Sequence, residues 1–143
     1  MPTKSPPTSS LTKTRLTALQ YFALIALTTW AISLWFLSSK PLNMPPGPEI
    51  PFLDKVLHFG YFGLGGLFLA TSIRLQNFQS KAFAFSLCLL ISIGAIDEWH
   101  QSWIPGRSGN DLYDWIADAI GGFSGLLSYL IIHYWLQTHR TKS

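Results

Sequence analysis

The stretch that decides the fold is LTALQYFALIALTTWAISLWFL, residues 16–37, in which nearly every side chain is apolar or small. A helix needs about 20 such residues to cross the hydrocarbon core of a bilayer, so this stretch predicts a first membrane-spanning helix. A secretory signal peptide is the competing interpretation. The apolar run is longer than that of a signal peptide, and no small-residue cleavage site follows it in residues 37–41, so we expect an uncleaved anchor.

Three further apolar runs follow, at residues 56–73, 82–96 and about 112–135. The first two of these are near the short limit for a span and can borrow flanking residues. Five prolines in residues 40–51 remove backbone hydrogen-bond donors, so this segment is predicted to be a loop. Four spans with short connections predict an all-α fold, a polytopic membrane protein built as an antiparallel bundle of four transmembrane helices.

The composition supports lipid as the solvent of this fold, because 48% of the residues are hydrophobic and only 12% are charged. We predict a transmembrane domain over residues 16–136. Residues 1–15, rich in Ser, Thr and Pro, are predicted to form a disordered cytoplasmic tail, and residues 137–143 a second cytoplasmic tail. The single cysteine, Cys88, cannot form an internal disulfide.

The charged residues orient the four spans. Both ends of the chain and the connection at residues 74–81 share one side, which carries seven basic residues and no acid. These are Lys4, Lys13, Arg15, Arg74, Lys81, Arg140 and Lys142. The other side carries all seven acidic residues, together with Lys40, Lys55 and Arg107. Because basic loops are retained in the cytoplasm, we expect both termini to be cytoplasmic and the acidic side to face outward.

The net charge of +3 arises from these patches and does not indicate a nucleic-acid partner. The six tryptophans lie mostly at the ends of the spans, as an interfacial belt of a membrane protein requires. We therefore expect the lipid bilayer, and no nucleic acid, as a partner.

At the outward ends of three spans, polar residues three or four positions apart share a helix face with glycines deeper in the span. They are Asp54, His58, Tyr61 and Gly65 in the second span, Gly94, Asp97 and Gln101 in the third, with Glu98 beside them, and Asp111, Asp114, Asp118, Gly121 and Gly125 in the fourth. Because glycine lets two helices approach closely, we expect these faces to meet one another and the polar groups to converge.

Asp118 is the acidic residue that most needs an explanation. It lies roughly 10 Å below Asp111 along the fourth helix, where a lone carboxylate would cost a few kcal/mol of insertion energy. It is therefore either partnered, with His58 as the candidate, or functional. Asp54 and Asp111 equally suit a structural role, because a carboxylate at a helix N-terminus complements the helix dipole.

Clustered carboxylates repel one another by about 1 to 4 kcal/mol per close pair, so the cluster favours a cationic group, a metal ion or a bound proton. Arg107, in the turn Pro105-Gly106-Arg107-Ser108-Gly109, is a candidate fork for a phosphate or carboxylate. The histidines lack metalloprotease spacing and the glycines lie in a membrane helix, so the sequence assigns neither metal ligands nor a cofactor.

Three motifs in this region resemble the VanZ-like family of bacterial membrane proteins over residues 54–125. They are Asp54-Lys55-x-x-His58-Phe59-x-Tyr61, Asp97-Glu98-x-x-Gln101 followed by Pro105-Gly106-Arg107-Ser108, and Asp111-x-x-Asp114-x-x-x-Asp118-x-x-Gly121-Gly122. Family members usually carry Asn at or near the position of Asp118. The family takes its name from an accessory protein that raises teicoplanin resistance, so the resemblance implies a protein of the bacterial cell envelope, located in the inner membrane. It does not imply that this chain itself confers glycopeptide resistance.

The first functional hypothesis is an outward-facing polar pocket that binds or processes a cell-surface or lipid-headgroup ligand. Its predicted ligand-binding residues are Lys55, His58, Asp97, Glu98, Gln101, Arg107, Asp111, Asp114 and Asp118. One alternative is an intramembrane hydrolase or transferase acting on a lipid-linked substrate, with a carboxylate or His58 as general base. Another is a non-catalytic assembly subunit whose polar cluster fixes the register of the helices.

Overall fold

A computed structural model describes residues 16–41, 51–75 and 80–140. These ranges contain four α-helices and no strand, which confirms the all-α prediction. The helices are α1 (Ala18–Ser38), α2 (Leu53–Ser72), α3 (Ser80–Gln101) and α4 (Leu112–Arg140). The predicted tail at residues 1–15 and most of the predicted loop at 40–51 lie outside the described residues. Helix α4 continues through residues 137–140, which were predicted to belong to the C-terminal tail.

Three of the four helices are long and apolar enough to cross a membrane, namely Ala18–Ser38, Lys81–Gln101 and Leu112–His139. The prediction of four transmembrane helices is therefore confirmed only in part. Helix α2 does not qualify because Asp54, Lys55 and four glycines lower its average hydropathy. Helix α2 packs against all three other helices, most extensively against α4, so much of its surface faces protein and not the exterior of the bundle.

Helix α1 begins at a capping box. The backbone N–H of Gln20 donates to the Thr17 hydroxyl, and the Gln20 side-chain oxygen accepts from the Thr17 N–H at 3.0 Å, which satisfies two donors that a helix start leaves free. The Gln20 amide also donates to the carbonyl of Ser72 at 3.2 Å. This bond joins the beginning of α1 to the end of α2, so the two helices run antiparallel.

Helices α2 and α4 form the largest interface in the bundle, and glycine sets their separation. A Cβ atom added at Gly125 would collide with the carbonyl oxygen of Gly63, and one added at Gly66 would collide with that of Gly122. A Cβ at Gly121 would likewise collide with the backbone of α2. The glycine-backed face predicted for the fourth span therefore does meet α2 at close range.

Gly65, the glycine predicted on the polar face of α2, packs instead against the indole ring of Trp30 in α1. Trp30 is only 4% exposed, so it belongs to the core and not to an interfacial belt. Its Nε1 atom donates to the carbonyl of Tyr61 at 2.9 Å, and the Tyr61 hydroxyl donates to the Trp30 carbonyl at 2.8 Å. This reciprocal pair fastens α1 to α2 and satisfies polar groups that are largely shielded from solvent.

The outer surface of the bundle is apolar, with large side chains such as Phe22, Ile25 and Phe85 more than 60% exposed. Such a surface suits contact with lipid chains and would be unusual for a soluble monomer. The polar groups gather at one end, where the end of α1, the beginning of α2, the end of α3 and the beginning of α4 meet. We call this region the polar end.

Candidate functional site

Lys55 is the hub of the polar end. From the first turn of α2, its Nζ atom lies 2.7 Å from Asp54 Oδ2, 2.8 Å from Asp111 Oδ2 and 3.0 Å from Asp114 Oδ1. The hydrogen bond from Lys55 holds the pKa of the Asp111 carboxyl below its ordinary value. One ammonium group thus joins three carboxylates and ties α2 to the beginning of α4.

Asp118 lies deeper in the same interface and has no exposed surface. Its Oδ1 atom lies 2.9 Å from His58 Nδ1, so His58 is the partner of this buried carboxylate. The other oxygen, Oδ2, has no hydrogen-bond partner among the residues that the structure describes. Gly94 of α3 packs directly over Asp118, where a Cβ would lie only 3.0 Å from that oxygen. The third helix therefore closes the site from the side.

Glu98 holds the connection between α3 and α4. Its Oε2 atom accepts a hydrogen bond from the Asp111 backbone N–H at 2.8 Å, and its main-chain carbonyl accepts from the Asn110 N–H at 3.2 Å. Glu98 is 4% exposed, and its second oxygen, Oε1, is buried without a partner in the described part of the chain. One half of this carboxylate therefore has a structural role, and the other half is available to a ligand.

Asp97 is held by two side chains. Gln101, one turn further along α3, donates to its Oδ2 atom at 2.7 Å, and Ser38, at the end of α1, donates to its Oδ1 atom. Ser38 is 2% exposed and was not predicted as a site residue. The only signal in the sequence was a pair of serines following an apolar span, which is also common where a helix simply ends.

Arg107 fastens the connection after α3 to the end of α1. Its Nε atom donates to the Lys40 carbonyl at 2.9 Å, and a terminal nitrogen donates to the Leu37 carbonyl at 2.6 Å. These carbonyls include ones that a helix C-terminus leaves without an intrahelical partner. The turn needs glycine at Gly106, whose φ is 82°. Arg107, predicted to bind a phosphate or carboxylate, therefore uses two of its five N–H donors in hydrogen bonds to the backbone.

A cavity of about 560 Å³ opens at the polar end between α1, α2, α3 and the connection after α3. Five of the nine predicted ligand-binding residues line it: His58, Asp97, Gln101, Arg107 and Asp114. The other four, Lys55, Glu98, Asp111 and Asp118, contact these lining residues or lie behind them. Asp54, Tyr61 and Ser108 also line the cavity, and its apolar wall is formed by Leu34, Leu37, Leu57 and Phe62.

One group within the polar end has the spacing of a metal site. His58, Glu98 and Asp114 each offer a ligand atom, and these atoms lie within 4.8 Å of one another. The three residues come from α2, α3 and α4, so the grouping arises from helix packing. The spacing of these three residues along the sequence does not predict the group.

The apolar helices and the polar site at one end of the bundle define a multi-pass membrane protein. A sequence model of the VanZ/LLP1 family matches residues 2–133 of the 143-residue chain. The chain therefore belongs to the VanZ/LLP1 family, which confirms the resemblance seen in the motifs. Comparisons with curated proteins and with solved structures found no match.

Proposed function

We propose that this VanZ-like protein binds the headgroup of a lipid or of a lipid-linked cell-surface molecule in the cavity at the polar end. The observation that carries the proposal is the composition of the cavity wall. Leucine and phenylalanine side chains form one part of the wall, and Asp97, His58 and Asp114 form another. A volume of about 560 Å³ is within the range of small-molecule sites. A site that is apolar and charged at once suits an amphiphile.

The charges favour a headgroup that carries an amine. Two buried carboxylates, Asp97 and Asp114, line the cavity, and the hydrogen bonds of Asp97 come from uncharged Ser38 and Gln101. Lys55 already pairs with Asp114, so an ammonium group of the ligand would chiefly neutralise Asp97, while a purely anionic headgroup would be repelled. Arg107 lines the same cavity and keeps donors beyond those used by the backbone, so it can contact a phosphate next to the amine.

The location that fits this function is the inner membrane of a bacterium, with both termini in the cytoplasm and the polar end facing outward. At 1.5 Å per residue, the 20 residues of α2 reach about 30 Å, which is the thickness of the hydrocarbon core. Contacts with the other helices cover Gly63, Gly65 and Gly66 of α2, so its low hydropathy is compatible with a fourth span. The cavity would then open at the level of the outer headgroups.

Native mass spectrometry of the purified full-length protein tests the proposal. The protein is delipidated in detergent containing EDTA and offered equal amounts of phosphatidylethanolamine, which carries an amine, and phosphatidylglycerol, which does not. We expect retention of phosphatidylethanolamine and its loss in Asp97→Asn and Asp114→Asn. Ser124→Ala, at an exposed hydroxyl that bonds only to its own helix, is the matched control and should bind as the wild type does. Equal retention of both lipids by all four proteins would refute an amine-selective pocket.

A second candidate function is favoured by the His58–Asp118 pair. A histidine at the cavity wall whose Nδ1 atom is held by a buried carboxylate has the arrangement of a general base. An intramembrane hydrolase or transferase acting on a lipid-linked substrate would use it to activate water or a hydroxyl group. Lipid profiling of a deletion strain separates the two functions. Loss of an enzyme makes its substrate accumulate, while loss of a binding protein leaves the lipid composition unchanged.

A further inference from the structure

Beyond lipid binding, we propose that His58, Glu98 and Asp114, of which His58 and Asp114 also line the cavity, form a site for a divalent transition-metal cation such as Zn²⁺. The three side chains converge from three helices, with ligand atoms within 4.8 Å of one another. One imidazole and two carboxylates form a donor set that Zn²⁺ commonly accepts. The geometry would leave further coordination positions to water or to a ligand in the adjoining cavity.

The orphaned oxygen of Glu98 points to an occupant. Glu98 is 4% exposed, and its Oε1 atom is buried without a hydrogen-bond partner in the described residues. A buried carboxylate oxygen without a partner is costly, and a cation at the centre of the group would satisfy it. The other oxygen is held at 2.8 Å by the Asp111 N–H, which fixes the orientation of the carboxylate.

Asp118 acts as the positioning residue of this site. Its Oδ1 atom lies 2.9 Å from His58 Nδ1, so a proton on Nδ1 can be donated to the carboxylate. Nε2 then remains as the imidazole nitrogen that can take a metal. Histidine ligands of metals are commonly oriented in this way by a carboxylate on the other ring nitrogen.

Local charge also favours a cation. Of the basic Lys and Arg side chains in the described residues, Lys55 alone forms ion pairs with carboxylates at the polar end, because Arg107 bonds to backbone carbonyls. Lys55 contacts Asp114 at 3.0 Å, but a carboxylate has two oxygens and can serve the ammonium and a metal together. Asp118 and Glu98 have no such ammonium partner.

Isothermal titration of the detergent-purified full chain with Zn²⁺ alone, using a tag without histidine, tests the site. We expect one ion per chain and an affinity at least tenfold weaker in Glu98→Gln and Asp114→Asn. Ser124→Ala, which changes a hydroxyl that bonds to its own helix and lies outside the group, is the matched control and should stay within about twofold of the wild type. Absence of a stoichiometric site, or an equal loss in the control, overturns the proposal.

X-ray absorption of the Zn²⁺-loaded wild type tests the site without any variant, and therefore also when a variant does not fold. The spectrum should show a single imidazole at about 2.0–2.1 Å, with oxygen completing the shell. No imidazole, or more than one, would contradict the assignment. Because the lipid experiment is performed in EDTA, failure here leaves the lipid result unaffected, and the reverse also holds.

Discussion

The Nδ1 atom of His58 lies 2.9 Å from the Oδ1 atom of Asp118, a carboxylate with no exposed surface. The pair joins α2 to α4 one turn deeper than the ion pairs of Lys55 with Asp111 and Asp114. The two helices are thus held by polar contacts at two levels, and their glycines pack together below. Each level can be perturbed separately.

Asp118→Asn should separate a ligand site from a network that only fixes helix register. An asparagine oxygen can still accept a hydrogen bond from His58, so we expect the free energy of unfolding to stay within about 1 kcal/mol of the wild-type value. Zn²⁺ affinity should fall about 10- to 100-fold, because the neutral amide no longer supports the imidazole. Thermal unfolding in detergent and Zn²⁺ titration measure the two effects. If yield and stability fall together with Zn²⁺ affinity, the result favours a non-catalytic assembly subunit whose polar cluster fixes the helix register.

Gly125→Ala should destabilise the bundle. Its new Cβ would collide with the Gly63 carbonyl oxygen, so the helices must separate, at a cost of about 1–3 kcal/mol. Gly60→Ala is the matched control in the opposing helix, since no atom lies within 4 Å of its added Cβ. There, alanine should be neutral or stabilising by about 0.5–1 kcal/mol. Equal melting temperatures for the two variants would show that the helices are not packed as described.

Asp111→Asn should reveal an acid-dependent contact with Lys55. The folded-state pKa of Asp111 lies below its ordinary value of 3.8, because Lys55 bonds to the charged form. The contact therefore stabilises the fold above pH 3.8 and is lost as the pH falls through the lowered pKa. The difference in thermal stability between the wild type and Asp111→Asn should shrink as the pH is lowered below 3.8. In a Lys55→Met background the pH dependence should shrink to the smaller part that the Tyr113 backbone N–H, which also bonds to Asp111, supplies. An undiminished pH dependence would assign it to a group other than Lys55.

Asp97→Ala, Arg107→Ala and Asp114→Ala should each abolish an envelope phenotype of the deletion strain, such as a change in teicoplanin susceptibility. Each substitution removes a side chain that lines the cavity. Immunoblots of membrane fractions should show unchanged abundance, and Ser124→Ala should complement fully. If all three cavity variants complement at normal abundance, the cavity is not the site of action.

Much of the fold could be predicted because its causes are local. The apolar run at residues 16–37 corresponds closely to α1, and the glycine periodicity of the fourth span indicated the α2–α4 contact. The predicted second span was harder. The hydropathy of α2 is low because the helix contains Asp54, Lys55 and four glycines, and its contacts with the other helices do not follow from its own sequence.

The gathering of polar residues at one end of the bundle could be predicted from the sequence, but their individual contacts could not. Helical spacing gathered Asp97, Asp114 and Asp118 at one end. Rotation of α1 decides that Ser38 reaches Asp97 and that Trp30 is buried, and no periodicity in α1 indicates either contact. The grouping of His58, Glu98 and Asp114 likewise depends on how three helices pack.

The most direct test of the headgroup pocket is photo-crosslinking in native membranes. A benzophenone amino acid replaces Leu57, which lines the cavity, or Ile120, which is equally exposed at 53% but does not line it. Mass spectrometry then identifies the crosslinked molecules. We predict that position 57 captures an amine-bearing lipid or lipid-linked molecule, that Asp114→Asn removes this product, and that position 120 captures bulk lipid. The same lipid mixture at both positions, unchanged by Asp114→Asn, would contradict the account.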